Sequence, residues 1–160
     1  MTEVPANKLI KDVLDGLLGK DVAVSPSALT LSSSDTVGSM IACYHDDDGM
    51  LKAVLGWSLP AGAHVAAALG LVPKPAVQDM ISERFLRSDL AENLGEVCNV
   101  LASTFEHQGN EHVRLTTVYC PANTTPSALA NLLYSNANRA DLVIDVPGYG
   151  AGVLGIVGCN

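Results

Sequence analysis

The chain has 160 residues, 48% of them hydrophobic and 16% charged, with a formal net charge of -8. This length and apolar content suit one folded domain spanning residues 1–160, large enough to bury a core. The acidic balance opposes nucleic-acid backbones and anionic membrane surfaces. There is also no apolar run of about 18 residues, and no basic stretch leading into an apolar segment, so the expectation is a cytoplasmic protein that neither enters a membrane nor is secreted.

Along the chain, Leu9, Ile10, Val13, Leu14, Leu17 and Leu18 recur at the spacing of one buried helix face and predict a helix over 5–18, ended by Gly19. VAVSPSALTL at 22–31 is β-like, and Pro26 marks it as a bulged or edge strand. Residues 36–59 read as two β-rich runs around the acidic turn DDDG, a hairpin. A short helix opens at Pro60 and stops near Gly70 and Pro73, a second covers 75–85, and a long helix covers 89–107. HVRLTTVYC at 112–120 alternates like a strand, TPSALANLLYS at 125–135 opens a helix behind Thr125 and Pro126, and two strands around GYGAG close the chain. Strands outnumber the connections long enough for parallel crossovers. The predicted fold class is therefore α/β of the α+β type, with helices packed on a largely antiparallel sheet and no internal repeat or interdomain linker.

The long helix carries the functional argument. At about 100° per residue, Leu90, Leu94, Val97, Cys98, Leu101 and Phe105 form one stripe that faces the core. Glu92, Glu96, Asn99, Ser103 and Glu106 lie within about 40° of a line on the opposite side. Glu96 and Asn99 are three residues apart, so their side chains are neighbours able to act together on one small object. Ala91, Gly95 and Ala102 occupy one shoulder. Gly95 costs about 1 kcal/mol against alanine inside a helix, which predicts a close approach by another backbone, from this molecule or from a partner.

Other patterns carry less chemistry. Gly150, Gly152 and Gly155 match GxGxxG, but too little chain follows for a dinucleotide-binding unit, and a glycine-rich hairpin fits better. Asp46, Asp47 and Asp48 lack the alternating ligands and distal glutamate of a calcium loop and read as a solvated turn. His45, His64, His107 and His112 form no zinc pattern, and the NTT sequon at Asn123 matters only on a secretory route. The cysteines Cys43, Cys98, Cys120 and Cys159 contain no CxxC pair and read as reduced, mostly buried hydrophobes.

The segment GEVCNVLAS, with Glu96 and Asn99 inside it, resembles the GE-x-x-N signature of the CheC/CheX/FliY phosphatases of bacterial chemotaxis. Their pattern is an Asp or Ser, three residues, Glu, two residues, Asn, and a proline a little over twenty residues later. Here Glu92 takes the first position and Pro121 falls one position short of the usual proline spacing. The order of elements before and after the motif helix is also similar, and a single motif looks like CheX. The resemblance implies a CheX-like domain that removes phosphate from the aspartyl phosphate of a CheY-like response regulator. In that reading Asn99 holds the attacking water, Glu96 engages a lysine of the regulator, and Glu92, Gly95 and Ser103 meet the partner. It also implies that this chain binds no metal, that Mg2+ comes from the regulator's acidic pocket, and that homodimers form. Two alternatives stand beside it. One is a non-catalytic CheC-like or flagellar-switch-like binding module. The other is an assembly protein that dimerises through a strand edge, which the β-rich tail LVIDVPGYGAGVLGIVGC would offer.

Overall fold

The computed structural model describes residues 2–106, 109–136 and 138–159. Helix α1 (Asn7–Leu18) buries Ile10, Leu14 and Leu18, and Gly19 ends it in the left-handed region at φ 63°, its amide bonded to the Asp15 carbonyl. Strand β1 (Ala23–Pro26) follows, then the hairpin of β2 (Ile41–Asp46) and β3 (Leu51–Trp57). The acidic turn bonds to itself, because the Asp46 carboxylate accepts the amides of Asp48 and Met50, both at 2.9 Å. Next come α2 (Leu59–Gly70), α3 (Lys74–Glu83), α4 (Ser88–Leu101) and the one-turn α5 (Ser103–Glu106). Strand β4 (Val113–Tyr119), helix α6 (Ser127–Leu133) and the hairpin of β5 (Arg139–Val146) and β6 (Gly150–Gly158) complete the chain.

The predicted elements are all present and in order, with shifted ends; the β-like stretch 22–31, for one, is strand only over Ala23–Pro26. Where the periodicity predicts one helix over 89–107, α4 stops at Leu101, and α5 resumes after Ala102. His107 lies outside the described residues. Pro126 stands just before α6 as its cap, so the helix begins at Ser127.

The strands form one antiparallel sheet in the order β1-β5-β6-β3-β2-β4. β1 is an edge, as Pro26 predicts. The glycine-rich tail is not. β6 lies between β5 and β3, and β5 lies between β1 and β6, so both tail strands are paired on both sides. The edge that the tail's composition predicts for dimerisation therefore belongs to β4 and β1 instead.

Period-two alternation divides the core. Ala42, Tyr44, Leu55, Trp57, Leu142, Ile144, Leu154 and Ile156 face the layer of α1, α2 and α4. Ile41, Val54 and Val157 face Leu31 and the α6 residue Leu133 on the other side. Helix α2 is buried along most of its length and opens on Ser58, whose hydroxyl accepts the Ala61 amide at 3.2 Å. It lies directly on β6 because glycine leaves room. A Cβ at Gly152 would sit 2.3 Å from the Ala61 amide nitrogen, and one at Gly150 would sit 3.0 Å from the His64 ring. The GxGxxG match is thus a packing device. Helix α4 rests on α2 and reaches β4.

Candidate functional site

Leu90, Leu94, Val97, Cys98 and Leu101 are buried on α4, and Phe105 continues the stripe on α5. Glu92, Glu96 and Asn99 are exposed on the opposite side of α4, and Ser103 and Glu106 are exposed on α5. The break after Leu101 puts these last two on a separate turn, so the continuous part of the polar face ends at Asn99.

Two features of this side of the helix weaken it. Glu92 and Glu96 are like charges one turn apart, a pairing that costs about 0.2–0.5 kcal/mol, and Gly95 adds about 1 kcal/mol. No internal contact offsets them. A Cβ at Gly95 would meet nothing within 4 Å, so the close approach its presence predicts is not made within the described molecule. The neighbouring acids differ. Asp89 is held by Arg87 in two bonds of 3.0 Å, which keeps its carboxyl below the usual carboxylate range. Glu106 pairs with His112, whose imidazole it raises. Glu92 and Glu96 form no ion pair among the described residues.

Beneath the face, the helix is fixed to the hairpin. Trp57 Nε1 donates to Cys98 Sγ at 3.3 Å, and the Tyr44 hydroxyl donates to the Cys98 carbonyl at 2.6 Å. Burial pushes the Cys98 thiol up to about 12, so it holds its proton and supplies no nucleophile beside Asn99. Sequence spacing does not reveal these two anchors. The available signal was the scarcity of aromatic residues, one Trp, four Tyr and two Phe in the whole chain, with Tyr44 and Trp57 both in one hairpin.

Beside the N-terminal half of α4 runs a groove of about 370 Å³, lined among others by Phe85, Ala91, Glu92, Cys120 and Pro121. It brings the signature's proline across from its first position. The remaining candidates are scattered: His64 is buried against Gly150, His45 bonds Thr116, and the Asp46 turn is closed on itself. Among the described residues no group of three or more His, Cys, Asp or Glu side chains is gathered to hold a metal ion. No described helix is long and apolar enough to cross a membrane.

No protein-family model matches the chain, and no curated protein matches its sequence. Solved structures do match. The FliM–SpeE complex of H. pylori aligns with TM-score 0.63 and 9% identity over 94% of this chain and 80% of that one. FliY of Thermotoga maritima aligns with TM-score 0.55 and 10% identity over 97% and 85%. The CheX–CheY–BeF3–Mg complex of Borrelia burgdorferi aligns with TM-score 0.50 and 10% identity over 96% and 94%.

The chain has a CheC/CheX/FliY-like fold. At these identities the likeness concerns architecture. In this CheX-like fold Glu92, Glu96 and Asn99 share the exposed side of one helix that is anchored from below.

Proposed function

We propose that this protein is a CheX-like phosphatase that hydrolyses the aspartyl phosphate of a CheY-like response regulator. The observation that carries the reading is the exposed face of α4, where Glu96 and Asn99 stand one turn apart, without a partner among the described residues, beside a shoulder that Gly95 leaves open. An acyl phosphate is already reactive, so its hydrolysis needs a water placed in line more than it needs a nucleophile. The Asn99 amide suits that task, because its carbonyl accepts from the water while its N–H groups donate to phosphoryl oxygens. Glu96 pairs with a lysine of the regulator and fixes the docked helix, a charge-assisted bond that gains strength as the interface excludes water. Glu92 and Ser103 border the same footprint, and Gly95 lets the regulator's backbone come close.

Any Mg2+ belongs to the regulator, in an acidic pocket that also holds the phosphoaspartate. The protein then works in the cytoplasm with its partner, and its acidic surface favours a basic rim on that partner. The test is the decay of phosphoryl label from a panel of response regulators of the same organism, with wild-type protein and with Asn99→Ala. Faster decay with the wild type that disappears in the variant, while binding persists, is the expected result. If Asn99→Ala is as fast as the wild type, Asn99 has no catalytic role.

A second reading is favoured by one specific departure, Glu92 in place of Asp or Ser, and by the higher TM-score of the FliM–SpeE structure, 0.63 against 0.50 for the CheX complex. It is a binding module that recognises a signalling partner through the same face without hydrolysis. Detectable binding to a phosphorylated regulator with no acceleration of decay would select it.

A further inference from the structure

The carbonyl of Cys98 is in an unusual position for a helix interior. In an uninterrupted α-helix it would accept the amide four residues on, that of Ala102. The Ala102 amide instead turns to the Asn99 carbonyl, three residues back, at 3.3 Å. The Tyr44 hydroxyl has taken the vacated acceptor at 2.6 Å. The following carbonyls are closed off by hydroxyls of the same turn, Val100 by Ser103 Oγ at 2.9 Å and Leu101 by Thr104 Oγ1 at 2.6 Å. Side-chain donors thus satisfy the orphan acceptors of a helix end, and α4 stops two residues beyond Asn99.

Tyr44 is suited to this because it is enclosed on every side. It is 0% exposed, it belongs to a strand paired on both sides, and its ring rests against Phe105 at a centroid distance of 5.4 Å. The bond it makes fixes more than a helix end. The Cys98 carbonyl and the Asn99 amide belong to one planar peptide unit, so an anchor on that oxygen fixes the plane from which Asn99 projects. The Cys98 side chain is held as well, by Trp57 at 3.3 Å. The residue before Asn99 is therefore pinned through backbone and side chain by two adjacent strands, and Asn99 itself reaches solvent.

We propose that Tyr44 is a positioning residue for Asn99, its hydroxyl holding the Cys98 carbonyl in the last turn of α4 and setting the direction from which the Asn99 amide meets the phosphoryl group. The proposal rests on the phosphatase reading. Small misplacements of a group that orients water are expensive, about 100-fold for 1 Å, so the loss of this anchor acts on turnover more than on docking.

The test is Tyr44→Phe, which keeps the ring and removes the donor. With wild-type protein active on a phosphorylated regulator, the variant is expected to lose about 10- to 100-fold in kcat with KM within about twofold, because Glu96 and the rest of the footprint are untouched. The Ala102 amide resonance shifts at the same time, as the Cys98 carbonyl becomes free to accept it. Placing 4-aminophenylalanine at position 44 restores a donor and is expected to restore kcat. Cys98→Ala removes the Trp57 contact while leaving the Tyr44 bond, and is expected to lose less kcat than Tyr44→Phe; an equal or larger loss would place the effect in the packing beneath α4 and overturn the hydroxyl's role. If Tyr44→Phe does not fold, the wild type still decides: a slowly exchanging Tyr44 hydroxyl proton and a weakly protected Ala102 amide support the anchor, and their absence overturns it. A variant with wild-type kcat, or a loss confined to KM, overturns the positioning role and leaves the phosphatase reading standing. A wild type that binds phosphorylated regulators and accelerates none of them removes the phosphatase reading first, and Tyr44's catalytic role with it.

Discussion

At the scale of the residue, Gly95 offers a test in which stability and function move in opposite directions. A methyl group there would meet nothing within 4 Å, and alanine is about 1 kcal/mol better than glycine in a helix interior. Gly95→Ala is therefore expected to raise the free energy of unfolding by about 1 kcal/mol in urea denaturation while weakening association with the response regulator proposed as its partner, whose backbone would meet the new methyl. A stabilised variant that binds as well as the wild type would show that no partner approaches this shoulder. The direction of Glu92, Glu96 and Asn99, away from the buried stripe at Leu90, Leu94, Val97, Cys98 and Leu101, was legible in the sequence because a straight helix keeps its 3.6-residue period; that nothing covers them was not, because a wheel carries no neighbours. Tyr44 was not legible. Its bond to Cys98 joins residues 54 apart in the chain, and no periodicity links a strand position to one carbonyl on a helix above it.

At the scale of the element, the same substitution at Gly152 has the opposite sign. Its Cβ would fall 2.3 Å from the Ala61 amide nitrogen and 2.6 Å from Ala61 Cβ, so two backbones would have to part. Overpacking of this kind costs about 1–3 kcal/mol, and Gly152→Ala is expected to lower the free energy of unfolding by that amount, read as a lower urea midpoint. An unchanged midpoint would mean that α2 rides more loosely on β6 than the contact distances imply. The glycines of the tail were visible in the sequence, but their purpose was not, because a pattern of glycines does not say which element approaches them. The end of α4 was hidden for a related reason. Phe105 and Glu106 continue the helical period beyond Leu101 almost in phase, so the wheel runs on while the hydrogen bonds change partner at Ala102.

At the scale of the whole molecule, pattern and topology part company. Alternation and turn residues identify each strand, yet nothing local orders them: the hairpins β2–β3 and β5–β6 are both interior, every one of their strands being paired on both sides. The free edges fall to β1, which is short and ends in Pro26, and to β4, which has only β2 beside it among the described residues. An edge strand leaves a row of unpaired N–H and C=O groups able to template another strand. β4 is long enough to do so and exposes Val118 by 39%. A homodimer built by sheet pairing therefore joins β4 to its copy. Sedimentation equilibrium is expected to show a mass that rises from monomer towards dimer with concentration, and Val118→Lys to return it to monomer, since a charged side chain on an edge is a common guard against pairing. A monomer mass at every concentration would remove the dimer, and a dimer indifferent to Val118→Lys would move its contact away from this part of β4.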